Sequence, residues 1–251
     1  MALFSVVVLL LAACGDAATS AADEEEPVSD TTPDATTTST PATTVSPPSP
    51  STSDAALTAP DVPVVFDAVV HTVDEVELGE SWRVGCPVGI EDLRRIEMPH
   101  HDDDGGVVTG SLVVHREHVD AVVEVFGRLF EAAFPIHSMV PISTFAADDD
   151  ASMAANNTSA FNCREIDGRP GVWSQHSFGG AIDINPLVNP WVRGDRVDPP
   201  GGADYVDRDQ DVVGIIRAGD VVTDAFTAIG WQWGGDWATS KDYQHFSHNG
   251  D

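Results

Sequence analysis

Residues 174–183 read SQHSFGGAID and contain two potential metal ligands, His176 and Asp183, with a pair of glycines between them. The glycines permit a tight reversal of the chain that a bulkier residue would resist. Because side chains alternate along a strand, Ala181 and Asp183 are predicted to share one face of a short strand. That face is predicted to present the Asp183 carboxylate beside His176.

A third potential ligand lies near the C-terminus, in the segment DYQH of residues 242–245. Catalytic zinc takes three protein ligands at about 2.0–2.2 Å and keeps an open position for water, whose pKa it lowers toward about 7. We predict that His176, Asp183 and His245 bind Zn²⁺ in this way. Asp242 is predicted to be the general base, and the alternative is that it orients His245 from outside the metal site.

As a pattern, S-x-H-x-x-G-x-A-x-D followed by D-x-x-H resembles the zinc D-alanyl-D-alanine carboxypeptidase family of the VanY type. Further stretches are similar to this family: FNCR at 161–164, DINP at 183–186, NP at 189–190 and GGDW at 234–237. The resemblance extends over roughly residues 82–247. It implies an α+β fold, with a small antiparallel sheet flanked by helices and a single zinc site in a cleft.

The resemblance also implies an activity and a set of roles. Members hydrolyse peptidoglycan stem peptides as carboxypeptidases or endopeptidases, using the three zinc ligands and the acid three residues before the last histidine. Many members carry Glu where this chain has Asp242, and the shorter side chain still reaches through one water. Arg164 matches an arginine that contacts substrate, and it is predicted to hold a carboxylate or the developing oxyanion.

Three alternatives remain open at this level. Arg164 is either a catalytic and substrate-binding residue or a member of a structural ion pair, and Ser174 either binds substrate beside the zinc site or serves as a turn residue. The whole domain is either a zinc metallopeptidase or a non-catalytic cell-wall-binding module that retains a structural zinc. A zinc enzyme acting on peptides unrelated to the wall is a further rival, whereas a serine hydrolase is disfavoured because the chain has no G-x-S-x-G motif.

The N-terminus predicts export. An apolar run from Leu3 to Leu11 ends in Ala12-Ala13-Cys14, which resembles a bacterial lipoprotein signal, although no Lys or Arg precedes it. We predict a signal peptide over 1–13, a lipidated Cys14 and an acidic Thr/Ser/Pro-rich disordered tether over 14–60, followed by the zinc peptidase domain over 61–251. The alternative is an ordinary signal peptide in which Cys14 is incidental.

Charge restricts the partners of the protein. The chain has 12 Lys and Arg against 41 Asp and Glu, a formal net charge of -29. Such a surface repels phosphate backbones and anionic lipid headgroups, which excludes nucleic-acid binding and leaves the lipid anchor as the membrane contact. With the anchor predicted at Cys14 and the substrate that the resemblance implies, we expect an extracytoplasmic, lipid-anchored monomer whose partner is the peptidoglycan stem peptide.

Two cysteines remain after Cys14, namely Cys86 and Cys163. In the oxidising space outside the cytoplasm such a pair often forms a disulfide, and that is our prediction. Two buried free thiols are the alternative.

Hydrophobic spacing predicts a mixture of helices and strands without regular βαβ alternation, which indicates the α+β class. We predict helices over 116–134 and 220–229 and a short helix within 82–97. Residues 107–114 are predicted to form a strand pair or one bulged strand, and further strands are predicted over 136–145, 181–184 and 242–247. Residues 231–237 are predicted to be a loop. The acidic stretches 100–104 and 148–150 are interpreted as surface loops rather than as metal sites.

Overall fold

The computed structural model describes residues 64–250. The predicted signal peptide 1–13, Cys14 and the tether through residue 60 lie outside the described residues. Within the described part the α-helices are α1 Glu75–Leu78, α2 Val119–Glu131, α3 Asp149–Ala154 and α4 Val221–Ala228. The strands are β1 Val69–Thr72, β2 Leu93–His101, β3 Val107–His115, β4 Ser138–Met139, β5 Asn157–Thr158, β6 Ala181–Asp183, β7 Trp191–Arg193, β8 Arg196–Asp198, β9 Gln232–Trp233, β10 Lys241–Asp242 and β11 His245–Ser247.

Helix α2 forms because its apolar residues recur every three or four positions and give one continuous stripe. Val122, Phe126 and Leu129 are fully buried on this stripe, and the helix packs against β2 and α4. A single 3-10 turn over Arg116–His118 precedes α2, and Pro135 follows it. The predicted helix is therefore present, and it is shorter than predicted at both ends.

Strand β2 corrects the prediction of a short helix within 82–97. Only a 3-10 turn, Ile90–Asp92, is helical there, and Leu93–His101 pairs with the whole of β3 in antiparallel register. Leu93 and Ile96 are three residues apart, which also fits a helix. The alternating burial of Ile96, Met98 and His100 is the strand period, and pairing with β3 on one side and β1 on the other stabilises it.

A second antiparallel sheet, in the order β6-β11-β9, carries the C-terminal segment into the core. Its centre is Phe246, which is fully buried and stacks on Phe226 of α4 with ring centroids 4.1 Å apart. Ile182 of β6 belongs to the same buried cluster as Phe126 of α2. The sheet is thus packed against α2 and α4, and this packing fixes the positions of the side chains at the ends of β6 and β11.

The predicted strand over 136–145 is wrong for most of its length. Only Ser138–Met139 forms a strand there, and it pairs in parallel with β5. Pro141 lacks the N–H that a strand ladder needs, and the chain after it turns into a 3-10 helix over Ile142–Phe145. The remaining strands form a small antiparallel sheet in the order β10-β7-β8.

Taken together, these elements confirm the predicted α+β class, with small antiparallel sheets and few helices. None of the helices in residues 64–250 has the length and apolar character required to cross a bilayer.

The predicted disulfide between Cys86 and Cys163 is present, with an S–S distance of 2.01 Å. It lies at a second, smaller hydrophobic cluster, in which Cys163 packs with Leu93, Val113 and Phe161. The bond therefore joins the loop before β2 to the segment that leads into residues 174–183.

Replacing both cysteines with serine is expected to lower the free energy of unfolding by about 4 kcal/mol. The bond closes a loop with a sequence separation of 77, and removing it restores that conformational freedom to the unfolded chain. Urea denaturation of the variant and the wild type, both under non-reducing conditions, measures the difference. Equal stabilities would show that the crosslink has no thermodynamic effect.

Candidate metal centre

His176 is held by a short 3-10 helix, Gln175–Phe178, that begins at Ser174. The Ser174 hydroxyl accepts a hydrogen bond from the His176 backbone N–H at 3.3 Å, so this side chain caps the helix. The His176 ring donates from Nδ1 to the Ala160 carbonyl at 2.6 Å. Because that bond uses Nδ1 as the donor, Nε2 is the nitrogen that faces Asp183, and it is the atom that can bind a metal once it has given up its proton.

The glycines after His176 form the tight chain reversal that the sequence predicts. Gly179 adopts φ +65°, a left-handed conformation that side chains disfavour. A Cβ at this position would lie 2.5 Å from the backbone N of His115, so the chain can reverse this close to β3 only with glycine. The reversal leads directly into β6 and brings Asp183 back beside His176.

The register of two strands brings Asp183 and His245 together. In the antiparallel pair β6–β11, Asp183 lies opposite His245, and cross-strand neighbours project on the same face. Asp183 Oδ1 is 2.9 Å from His245 Nδ1, and Asp183 Oδ2 is 3.1 Å from His176 Nε2. The two imidazole nitrogens, His176 Nε2 and His245 Nδ1, are 3.3 Å apart.

All three side chains are buried, with exposures of 4% for His176, 6% for Asp183 and 6% for His245. Burial alone would raise the pKa of Asp183, but the charge of His176 and hydrogen bonds from both imidazoles outweigh it and hold that pKa well below its usual range. The carboxylate is therefore ionised between two nitrogen ligands.

This group fits a metal ion. One ligand atom from each of the three residues lies within 4.8 Å of the others. Two imidazoles and one carboxylate are nitrogen and oxygen donors of the type that catalytic zinc takes, with a position left for water. His176, Asp183 and His245 are thus placed together as the sequence predicts.

Asp242 lies on β10, outside the three-residue group, and is half-buried. Its Oδ1 atom is buried without a hydrogen-bond partner within the described part of the chain. Gly234 packs directly on this residue, because a Cβ there would lie 2.7 Å from the Asp242 Cβ. Burial, aided by the charge of Asp183 and opposed by the two histidines and Gln244, raises the pKa of Asp242 to about 7.

The metal-free protein is expected to lose stability as the pH rises from 4 to 7 through Asp242. In the unfolded chain this carboxyl ionises near its ordinary value of 3.8, whereas the folded chain keeps the proton until about pH 7. The folded state binds the extra proton between these values, so the free energy of unfolding falls with rising pH by at most about 4 kcal/mol. Asp242→Asn removes this contribution, and urea denaturation in chelator at pH 4 and pH 8 measures it. We expect the wild type to lose more stability between pH 4 and pH 8 than Asp242→Asn does. Equal losses in the two proteins would contradict the raised pKa.

Arg164 pairs with Asp149 of α3, with 2.6 Å between Nη2 and Oδ2. Its backbone is tied to the residue after His176, because its N–H donates to Ser177 Oγ and its carbonyl accepts from the same hydroxyl. The ion pair is one of the two alternatives that the sequence left open. However, the Arg164 side chain remains 30% exposed, so the ion pair does not close it off from other groups.

Some contributors to this site were missed by sequence reasoning. The Ala160 carbonyl orients His176, and no side-chain pattern signals a backbone acceptor. The acidic stretch 148–150 is interpreted from the sequence as a surface loop. In the structure Asp148 caps the N-terminus of α3, and Asp149 forms an ion pair with Arg164. Trp237 also contributes, because its ring packs against His245 with centroids 5.6 Å apart.

Comparison with known proteins links part of the chain to a family. A family model described as D-alanyl-D-alanine carboxypeptidase matches residues 167–248. The matched segment includes His176, Asp183, Asp242 and His245, and it begins downstream of Arg164. No curated protein and no solved structure matches the chain at a significant level.

Proposed function

Because residues 167–248 belong to the D-alanyl-D-alanine carboxypeptidase family, we propose that this protein uses Zn²⁺ to hydrolyse peptide bonds in peptidoglycan stem peptides. Members of this family are metal-dependent peptidases related to peptidoglycan. The observation that carries the proposal is the buried group of His176, Asp183 and His245, with the carboxylate of Asp242 outside it. A purely structural zinc takes four protein ligands, and the described residues offer a group of three.

The three ligand residues would hold the ion, which when bound acts as a Lewis acid and lowers the pKa of water at the site. Asp242 accepts a proton from the attacking water as oxygen adds to the peptide carbonyl carbon. The same carboxyl then delivers that proton to the nitrogen of the leaving amine as the C–N bond breaks. The raised pKa of Asp242 suits an acid–base role near neutral pH, because the group can both accept and release a proton there.

Arg164 is proposed to contact the substrate. Asp149 holds one end of its guanidinium at 2.6 Å, and the side chain keeps 30% of its surface exposed, which leaves the guanidinium accessible to a substrate carboxylate or carbonyl oxygen. Ser174 caps the helix that carries His176, so its contribution to substrate binding is proposed to be indirect, through the position of that ligand.

Export and lipid anchoring remain part of the proposal. The disulfide between Cys86 and Cys163 supports an oxidising compartment, which fits a substrate in the cell wall. Labelling cells with a radioactive fatty acid tests the anchor, since Cys14→Ala is expected to remove the label from the protein.

A chelator experiment on purified stem peptides tests the activity. Zinc-loaded protein is expected to release a product that mass spectrometry identifies, chelator is expected to abolish the release, and added Zn²⁺ to restore it. Elemental analysis of the active protein identifies the ion, because two histidines and a carboxylate also suit iron. Stoichiometric zinc without hydrolysis of any wall peptide would favour a non-catalytic wall-binding module instead.

A further inference from the structure

A cavity of about 390 Å³ lies between α4 and the segment 231–237. Its lining combines indole rings with carboxylates, and the residues that matter here are Trp231, Trp233, Trp237, Asp224 and Asp236. Trp237 connects the cavity to the metal centre, because its ring packs against His245 with centroids 5.6 Å apart. A group bound in the cavity would therefore lie close to a substrate held at the metal.

The cavity carries negative charge without a matching cation. Asp224 and Asp236 are both exposed, and neither carboxylate forms an ion pair within residues 64–250. No Lys, Arg or His is among the residues that line the cavity. The ammonium of Lys241 donates instead to the Gly235 carbonyl at 2.9 Å. A cation entering the cavity would meet two carboxylates and no competing charge from its walls.

The tryptophans add a surface that favours the same kind of ligand. Two of the indole N–H groups are used by backbone carbonyls, that of Trp233 by Tyr243 and that of Trp237 by Gly250. Trp233 is buried and stacks on Phe246, whereas Trp237 is partly exposed, so Trp237 is the ring that offers the cavity most carbon surface and π electrons. Indole is the strongest aromatic partner of a cation, and an aliphatic chain packs well on the same carbon surface.

We propose that this cavity is a subsite for a primary ammonium group on an aliphatic side chain of the peptide substrate, such as that of a diamino acid in a stem peptide. The proposal rests on the proposed function, since it places the subsite beside the scissile bond. The aliphatic stem packs on the indoles while the ammonium reaches Asp224 and Asp236. The volume lies within the range of sites that take small ligands.

Matched peptides test the subsite with the zinc-loaded full-length chain. One stem-peptide analogue carries lysine at the diamino position and the other carries norleucine, which lacks the ammonium. We expect kcat/KM to be at least about tenfold higher for the lysyl peptide, which corresponds to about 1.4 kcal/mol. The double variant Asp224→Asn/Asp236→Asn is expected to bring the ratio below about twofold. Asp195→Asn, an exposed acid in the turn between β7 and β8, is the matched control and is expected to keep the wild-type ratio.

The outcomes separate the two proposals. Equal kcat/KM for both peptides in the wild type, or an unchanged ratio in the double variant, overturns the subsite while leaving the peptidase intact. If the protein hydrolyses neither peptide, the result counts against the proposed function. The subsite is then tested by tryptophan fluorescence. n-Butylammonium is expected to give a saturable change that n-butanol does not give and that the double variant lacks. A wild type that does not respond to n-butylammonium overturns the subsite in that case.

Discussion

Replacing Asp242 with alanine is expected to lower kcat for peptide hydrolysis by about 10²- to 10⁴-fold, the contribution of a positioned general base. The carboxylate lies outside the three-residue metal group, and its buried Oδ1 has no partner in the described part of the chain. Its loss therefore removes the proton acceptor without removing a ligand. Steady-state kinetics on a stem peptide, with zinc content measured on the same samples, gives the comparison.

Two controls give this result its meaning. Asp242→Glu is expected to retain most of the activity, because many relatives in the resembled family carry glutamate at this place. Asp195→Ala removes an exposed carboxylate distant in sequence and is expected to match the wild type. An Asp242→Ala protein with full zinc and normal kcat would exclude the base, whereas one that has lost zinc would favour the alternative in which Asp242 orients His245.

Replacing Asp183 with asparagine is expected to weaken zinc binding by more than about 100-fold. Loss of a residue that only supports a ligand from outside the site lowers metal affinity by roughly 10- to 100-fold, and Asp183 is itself a proposed ligand. The carboxylate contacts both imidazoles, at 3.1 Å to His176 and 2.9 Å to His245, and it supplies the negative charge of the group. An amide keeps the shape but not the charge. Competition with a fluorescent chelator measures the affinity, and activity at limiting zinc is expected to fall with occupancy.

The control for Asp183 addresses folding. Circular dichroism of the variant is expected to match the wild type, because β6 also keeps Ile182 in the core and its pairing with β11. Asp195→Asn reports the effect of losing one charge elsewhere on the surface. Stoichiometric zinc bound to Asp183→Asn with wild-type affinity would mean that this residue is not a ligand.

The sequence by itself was sufficient for the features that depend on neighbours along the chain. The spacing of His176, the glycines and Asp183 predicts one tight reversal, and the structure has it at Gly179. The apolar stripe that predicts helix α2 is a feature of the same kind. These features could be predicted because local backbone geometry and side-chain periodicity determine them.

Tertiary structure decided what depends on residues distant in the chain. The three-residue spacing of Leu93 and Ile96 fits one face of a helix, but pairing with β3 selects the strand and places the two side chains in different hydrophobic clusters. The register of β11 on β6 places His245 opposite Asp183, and α3 brings Asp149 to Arg164. Burial and hydrogen bonding across the whole fold select such partners. A short segment of the sequence does not contain both partners, so it cannot predict their pairing.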